Sequence, residues 1–319
     1  MIFEKKIVNV YKSMMHTRCD DTGTVFYFSS EDFTGLKKES FNFKSSMGHT
    51  LCGYVYEYDA PKADRLIVFD HGMGGGHRAY MREIEMLARH GYRVLAYDHT
   101  GCMESGGEST NGLAQSLCDL NDCINAVKAD SRFSDFDISV VGHSWGAYST
   151  MNIAALHPDI SHIVAMCGFV CAKDMIDSTF SGILKGYRKP IMALEESCNP
   201  KFVKYNAAET LKGSDVKALL IYSDNDTICR KSHYDILKSA LEGKENVRLV
   251  LVNGKGHNPN YTENAVKLLG EFISARTSLA KRKNVTAEEK AAFVRSFDWE
   301  KMTEQDEKIF DMILSHLEK

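Results

Sequence analysis

Ser144 lies in the pentapeptide Gly142-His143-Ser144-Trp145-Gly146, between the β-branched run 137–141 and a helix-like stretch, 147–157. A serine on a sharp strand-to-helix turn is held in a strained conformation with its hydroxyl projecting. The flanking glycines are needed because no Cβ fits where the backbone doubles back. Such a hydroxyl becomes a nucleophile when an imidazole can take its proton and a carboxylate can orient the imidazole. His257, in Asn253-Gly254-Lys255-Gly256-His257, is the expected base, because it follows the apolar run Val247–Val252 on a glycine-bearing loop. Asp226 is the expected acid, on the loop after the run 216–222, and Asp224 competes from the same loop. His71, His77, His99 and His143 also lie near strand ends, but too early in the chain for the order Ser…Asp…His that accompanies this kind of turn.

Acyl chemistry at Ser144 also needs donors for the developing oxyanion. The segment His71-Gly72-Met73-Gly74-Gly75-Gly76 follows the apolar run Arg65–Asp70, and a glycine-rich turn there lets backbone amides point at the reacting oxygen. The expected donors are the N–H groups of Met73 and of Trp145, the residue after the nucleophile. Strand, glycines and helix also describe a dinucleotide loop, and Asp98 at the end of the next strand mimics a ribose-binding acid. That fingerprint, counted from Gly72, requires glycine at position 77, where His77 stands.

These residues need a scaffold that brings four loops to one edge. Short buried runs alternate with helical patterns from residue 41 onward. The strand-like runs are 41–43, 51–58, Arg65–Asp70, Arg93–Tyr97, 137–141, 162–167, 216–222 and Val247–Val252. Helical spacing appears at 80–90, 113–128, 147–157, 232–241 and 264–273. This alternation is the signature of a mostly parallel sheet covered by helices on both faces. Ligands of such sheets bind at the carboxyl ends of the strands, where all four loops lie.

Residues 170–212 break the rhythm and are placed where a cap would cover the site. Met175, Phe180 and Tyr187 of this insert are expected to face substrate, together with His71, Gly72 and His143; Ile183, Leu184 and Met192 add to its apolar content. Those apolar residues equally suit a cap that only buries itself on the core. Lys173, Lys185, Arg188 and Lys189 are read as solvated, and Glu195-Glu196 is the acidic pair that could hold an α-amino group. The expected organisation is an N-terminal extension at 1–40, a core at 41–169 and 213–279, the cap at 170–212, and a C-terminal helical extension at 280–319. That extension contains the helix starts Thr286-Ala287-Glu288-Glu289 and Thr303-Glu304-Gln305-Asp306. Ile309, Phe310, Ile313, Leu314 and Leu317 form one face of its last helix, for packing on the domain or for self-association as a homo-oligomer.

The 319 residues carry a net charge of −4, which argues against a general nucleic-acid or anionic-membrane binder. Nine cysteines at irregular spacing, without a C-x-x-C pair, suggest reduced thiols rather than disulfides or a zinc site. No run reaches the length of a signal or membrane-spanning segment, so a soluble cytoplasmic protein without stable membrane insertion is expected. Neither metal nor cofactor is required by the chemistry.

The motifs His71-Gly72-Met73-Gly74, Tyr97-Asp98-His99-Thr100-Gly101 through Ser105, Gly142-His143-Ser144-Trp145-Gly146, Ser223 to Asp226 and Gly256-His257 resemble the α/β-hydrolase superfamily. The likeness covers roughly residues 41–278. It is nearest to the monoacylglycerol lipase and lysophospholipase-like group with its serine aminopeptidase relatives. The resemblance implies an α/β-hydrolase fold of about eight strands with a small helical cap. It also implies Ser144, Asp226 and His257 as nucleophile, acid and base, and Met73 and Trp145 as oxyanion donors. Thr100, Met103 and Ser223 depart from the family pattern of Arg, Gly and Gly at these places, in loops around the pocket. The function expected on this basis is cleavage of carboxylic esters through an acyl-enzyme. An amidase or aminopeptidase is the alternative, followed by an acyltransferase and a non-catalytic binding protein.

Overall fold

The computed structural model describes residues 2–62 and 64–318; Met1 and Lys319, at the outer ends of the two expected extensions, lie outside the described residues. The strands are β1 (Lys37–Ser40), β2 (Phe43–Lys44), β3 (Thr50–Leu51), β4 (Gly53–Glu57), β5 (Arg65–Asp70), β6 (Arg93–Tyr97), β7 (Asp137–His143), β8 (His162–Met166), β9 (Lys217–Ser223) and β10 (Val247–Val252). The first helices are α1 (Ile2–Met15), α2 (Met81–Arg89), α3 (Gln115–Ala129), α4 (Trp145–Asn152), α5 (Ala172–Thr179) and α6 (Arg188–Cys198). They continue with α7 (Ala207–Lys212), α8 (Lys231–Ala240), α9 (Glu263–Ala280), α10 (Ala287–Arg295), α11 (Trp299–Met302) and α12 (Glu307–Leu317).

Eight strands form one sheet in the order β1-β4-β6-β5-β7-β8-β9-β10, and β2 and β3 make a separate small hairpin. From β6 to β10 every pairing is parallel; β4 alone runs against its neighbours, β6 and β1. The mostly parallel α/β architecture is therefore present. The central strands are apolar through most of their interior positions because both faces are covered. In β5, Leu66 and Val68 enter one core with α3, α4 and α7, while Ile67 and Phe69 enter the other with α2 and α12.

Three elements differ from the sequence reading. β1 consists of four exposed residues, so it carries no alternation to betray it; it forms by hydrogen bonding to β4 at the sheet edge. Phe41 is buried but stands outside any strand. The helix after Ser144 begins at Trp145 and gives way to a tight turn over Ile153–Ala155.

The C-terminal extension packs on the domain. Ile309, Phe310, Ile313, Leu314 and Leu317 of α12 are buried with α2 against β5, β6 and the strands beyond. The helix face offered above for self-association is thus already covered by the chain's own core. The insert folds as α5, a tight turn, α6 and α7, and α1 lies against it.

Candidate active site

β7 ends at His143, and the chain turns through Ser144 at φ 56 and ψ −112 directly into α4. A non-glycine residue held there is strained by an order of 1–3 kcal/mol, which surrounding structure must offset. The neighbours account for both glycines. A Cβ on Gly146 would lie 2.0 Å from the carbonyl oxygen of Asp70, and one on Gly142 would lie 2.5 Å from that of Gly146.

His257 Nε2 is 2.8 Å from Ser144 Oγ, and its Nδ1 is 2.7 Å from Asp226 Oδ2. The other carboxylate oxygen of Asp226 accepts the amides of Ile228 (2.7 Å) and Cys229 (3.1 Å), so the acid is fixed in place and buried. Asp224 does something else. Its Oδ1 accepts the amide of Gly254 at 2.8 Å, on the loop that carries His257. Ser223 Oγ accepts the amide of Lys255 (3.0 Å), and Asn225 Oδ1 accepts that of Gly256 (2.7 Å). Three consecutive side chains of the acid loop thereby clamp the base loop. Sequence reasoning missed this clamp, although a Ser-Asp-Asn run is the kind that bonds nearby backbone amides.

Met73 lies in the turn after β5, and Trp145 opens α4, where the first amides of a helix have no intrahelical acceptor. A Cβ on Gly72 would come within 3.3 Å of Ser144 Cβ, which shows how closely this turn approaches the serine. The Trp145 side chain points away, its indole donating to the carbonyl of Leu113 at 2.7 Å.

The family model described as "Serine aminopeptidase, S33" matches residues 61–209. YqkD of Bacillus subtilis (strain 168) is 26% identical over 149 residues, 46% of this chain and 48% of that protein. An epoxide hydrolase of Caballeronia sordidicola is 28% identical over 126 residues, 36% of this chain and 37% of that one. The chain thus spans about half, or less, of the length of the curated relatives it matches. Among solved structures, the Pyrococcus furiosus esterase Pf2001 superposes with a TM-score of 0.59 at 20% identity, over 81% of this chain and 96% of that one. Residues 61–209 are thus similar to that family, and the fold of the chain is that of the α/β hydrolases.

The residues expected to face substrate divide into two groups. His71 is fully buried: Nδ1 lies 2.6 Å from the Gly72 carbonyl, and Nε2 accepts the His99 amide at 3.0 Å. His143 is also buried, between Tyr80 Oη (2.9 Å) and the carbonyl of His257 (2.7 Å). Burial lowers both imidazoles to about 3, so both are neutral, with both ring nitrogens engaged. They support the two loops from behind and offer no free polar atom to a ligand. Gly72 keeps its place beside Ser144, its amide donating to Tyr80 Oη at 3.1 Å. Met175 and Phe180 do line an apolar cavity, whereas Tyr187 packs partly buried against the core beside it.

Behind the Gly72 turn sits a charged cluster. His99 lies 2.9 Å from Asp70 Oδ1 and 3.3 Å from Asp119 Oδ2, out of line for good hydrogen bonds. Burial opposes a charge on its ring, but the Asp70 and Asp119 carboxylates outweigh burial and raise it to about 9. The resulting imidazolium lies between the tilted rings of His71 (centroids 4.4 Å apart, 55°) and Trp145 (4.8 Å, 54°). Nothing in the sequence order distinguished His99 from the other early histidines.

Among the described residues, the donors that could gather a metal ion are Cys167, Asp226 and His257, whose ligand atoms lie within 4.8 Å of one another. Asp226 and His257 are already bonded to each other, so an ion there would have to displace that contact. Glu195 is fully buried and accepts Tyr11, His16 and the amide of Leu113, so it is not free to hold an α-amino group; Glu196 is exposed.

Proposed function

We propose that this protein is a hydrolase that cleaves carboxylic esters through an acyl-enzyme on Ser144. The observation that carries the reading is the continuous hydrogen-bonded chain Ser144 Oγ–His257–Asp226, with both links below 3 Å. Ser144 Oγ attacks the ester carbonyl while His257 Nε2 takes its proton. Asp226 accepts from Nδ1 and stabilises the imidazolium that forms. The amides of Met73 and Trp145 receive the oxyanion. The tetrahedral intermediate then expels the alcohol, which leaves with the proton from Nε2. Water attacks the acyl-enzyme by the same route in reverse order of roles, releasing the acid and restoring Ser144.

The description of the matching family favours a second reading, an aminopeptidase or amidase on the same triad. The internal bonding of Glu195 and the apolar cavity that the Asp226 loop borders through Thr227 and Ile228 both count against a subsite for a charged amino group. A free-thiol state for the nine cysteines agrees with a reducing, cytoplasmic setting.

The test is hydrolysis of p-nitrophenyl esters of increasing acyl length beside aminoacyl p-nitroanilides. Ser144→Ala is expected to lose at least ~10³-fold in kcat/KM with its fold intact. Retained ester turnover in that variant would remove Ser144 from the mechanism. Preference for the anilides would replace the esterase reading by the second one.

A further inference from the structure

An apolar cavity of about 450 Å³ lies between α1 and the cap, within the roughly 300–1,000 Å³ range of ligand pockets. Ile7, Val10 and Met14, spaced to share one face of α1, form one wall; Met175 and Phe180 of the cap stand opposite. Ile228, from the acid loop, closes an end. The cavity touches the triad's supports at two points. The Ile228 amide is the one that donates to Asp226, and Leu113, also on the wall, accepts the Trp145 indole.

α1 is seated by a polar anchor rather than by apolar packing alone. Glu195, on α6, is fully buried and accepts Tyr11 Oη at 2.6 Å, His16 Nε2 at 2.7 Å and the Leu113 amide at 2.6 Å. Tyr11 also meets Phe180 edge-on at 6.1 Å. One carboxylate therefore joins α1, the cap and the segment that holds Trp145. At the cavity mouth, Val10 is 49% and Met14 67% exposed. Apolar side chains left to water beside an apolar cavity gain free energy when a hydrocarbon covers them.

We propose that α1 is the roof and length gauge of an acyl-chain subsite, which takes the unbranched hydrocarbon chain of the ester attacked at Ser144. The inference rests on the esterase reading for the word acyl, and on the cavity alone for the hydrocarbon chain. α1 lies outside residues 61–209, so this wall belongs to a part of the chain that the family match does not reach.

Two variants fill the cavity from the helix, Ile7→Trp and Val10→Trp; neither residue is in the buried core, so the fold has room for the change. The first readout is the ratio of kcat/KM for p-nitrophenyl decanoate to that for p-nitrophenyl acetate. It is expected to fall about tenfold or more, as methylene-scale changes in apolar pockets do. The second readout is the affinity of cis-parinaric acid for Ser144→Ala, which is expected to weaken by a similar factor when either tryptophan is added. Val10→Ala, which enlarges the same wall, shifts the chain-length optimum upward and serves if a tryptophan variant does not fold. Tyr11→Phe, which removes one donor to Glu195, shifts the ratio in the same direction as the tryptophans by less. Unchanged ratio and unchanged probe affinity in folded variants overturn the proposal while leaving the esterase reading standing. Probe binding that the tryptophans weaken, in a protein that cleaves no ester, upholds the hydrocarbon subsite and removes the esterase reading instead.

Discussion

His143 Nε2 donates to the carbonyl oxygen of His257 at 2.7 Å, tying the residue before Ser144 to the backbone of His257. The bond fixes the tautomer of His143, whose Nδ1 then accepts from Tyr80 Oη while that oxygen accepts the Gly72 amide. One neutral imidazole thus links the turn at Ser144, the loop of His257 and the turn at Gly72.

Replacement of His143 should therefore act through placement. His143→Ala is expected to reduce kcat by about 10²-fold, the scale of an ångström-level misplacement of reacting groups. His143→Gln, which keeps a donor and an acceptor, is expected to recover part of the loss. Equal losses in both variants, with folding retained, would show that the two bonds do not matter.

The two aspartates of the acid loop should separate cleanly. Asp226→Asn removes the charge that faces His257 and is expected to lower kcat by about 10⁴-fold, as tautomer-disrupting changes in such triads do. Asp224→Asn retains an oxygen for the Gly254 amide and is expected to cost less than about tenfold. Steady-state kinetics of the pair decides it; a larger loss at position 224 would reverse the assignment.

Stability should respond to pH through the buried histidines. His99 is raised to about 9 in the folded protein, against about 6.5 in an unfolded chain. Its contribution is fully present below the unfolded value and is lost as pH rises through about 9. His71 and His143 are lowered to about 3, so their contribution is present above about 6.5 and is lost as pH falls towards about 3. Urea midpoints measured across this range should decline in both directions, and His99→Gln should flatten the alkaline decline. An unchanged alkaline slope in that variant would show that His99 does not carry it.

The C-terminal extension should matter to the site as well as to the fold. Lys255, two residues before His257, is buried and donates to the Tyr261 carbonyl (2.8 Å) and to Asp306 (2.9 Å), the residue that caps α12. Asp306→Ala leaves that ammonium without its carboxylate and removes the cap, and is expected to cost about 2 kcal/mol of unfolding free energy. A lower kcat should accompany it. Thermal and urea unfolding beside steady-state kinetics check both; full stability in the variant would show that the pair is not a tie.

The parallel part of the sheet and the order of the chemical groups along the chain are legible in the residues alone. The apolar runs of β5 to β9 are local properties of the chain, because a strand covered on both faces must be apolar through its interior, as Leu66 to Phe69 are. The glycines around Ser144 were legible for the same kind of reason: the turn admits no Cβ whatever lies beyond it. Asp226 against Asp224 was not legible, since two carboxylates two residues apart differ only in what reaches them: Asp226 meets the His257 imidazole and the amides of Ile228 and Cys229 on its own loop, whereas Asp224 meets the Gly254 amide from the loop after β10. The histidines show the same limit. His71, His99, His143 and His257 all lie at or just after strand ends, and only the packed structure separates the imidazole that meets Ser144 from two neutral struts and an imidazolium between two aspartates. β1 and α1 stayed unread because one is wholly exposed and the other owes its place to Glu195, far away in the chain. Local steric and periodic constraints are written in neighbouring residues; burial, pairing and protonation depend on groups that only the tertiary fold brings together.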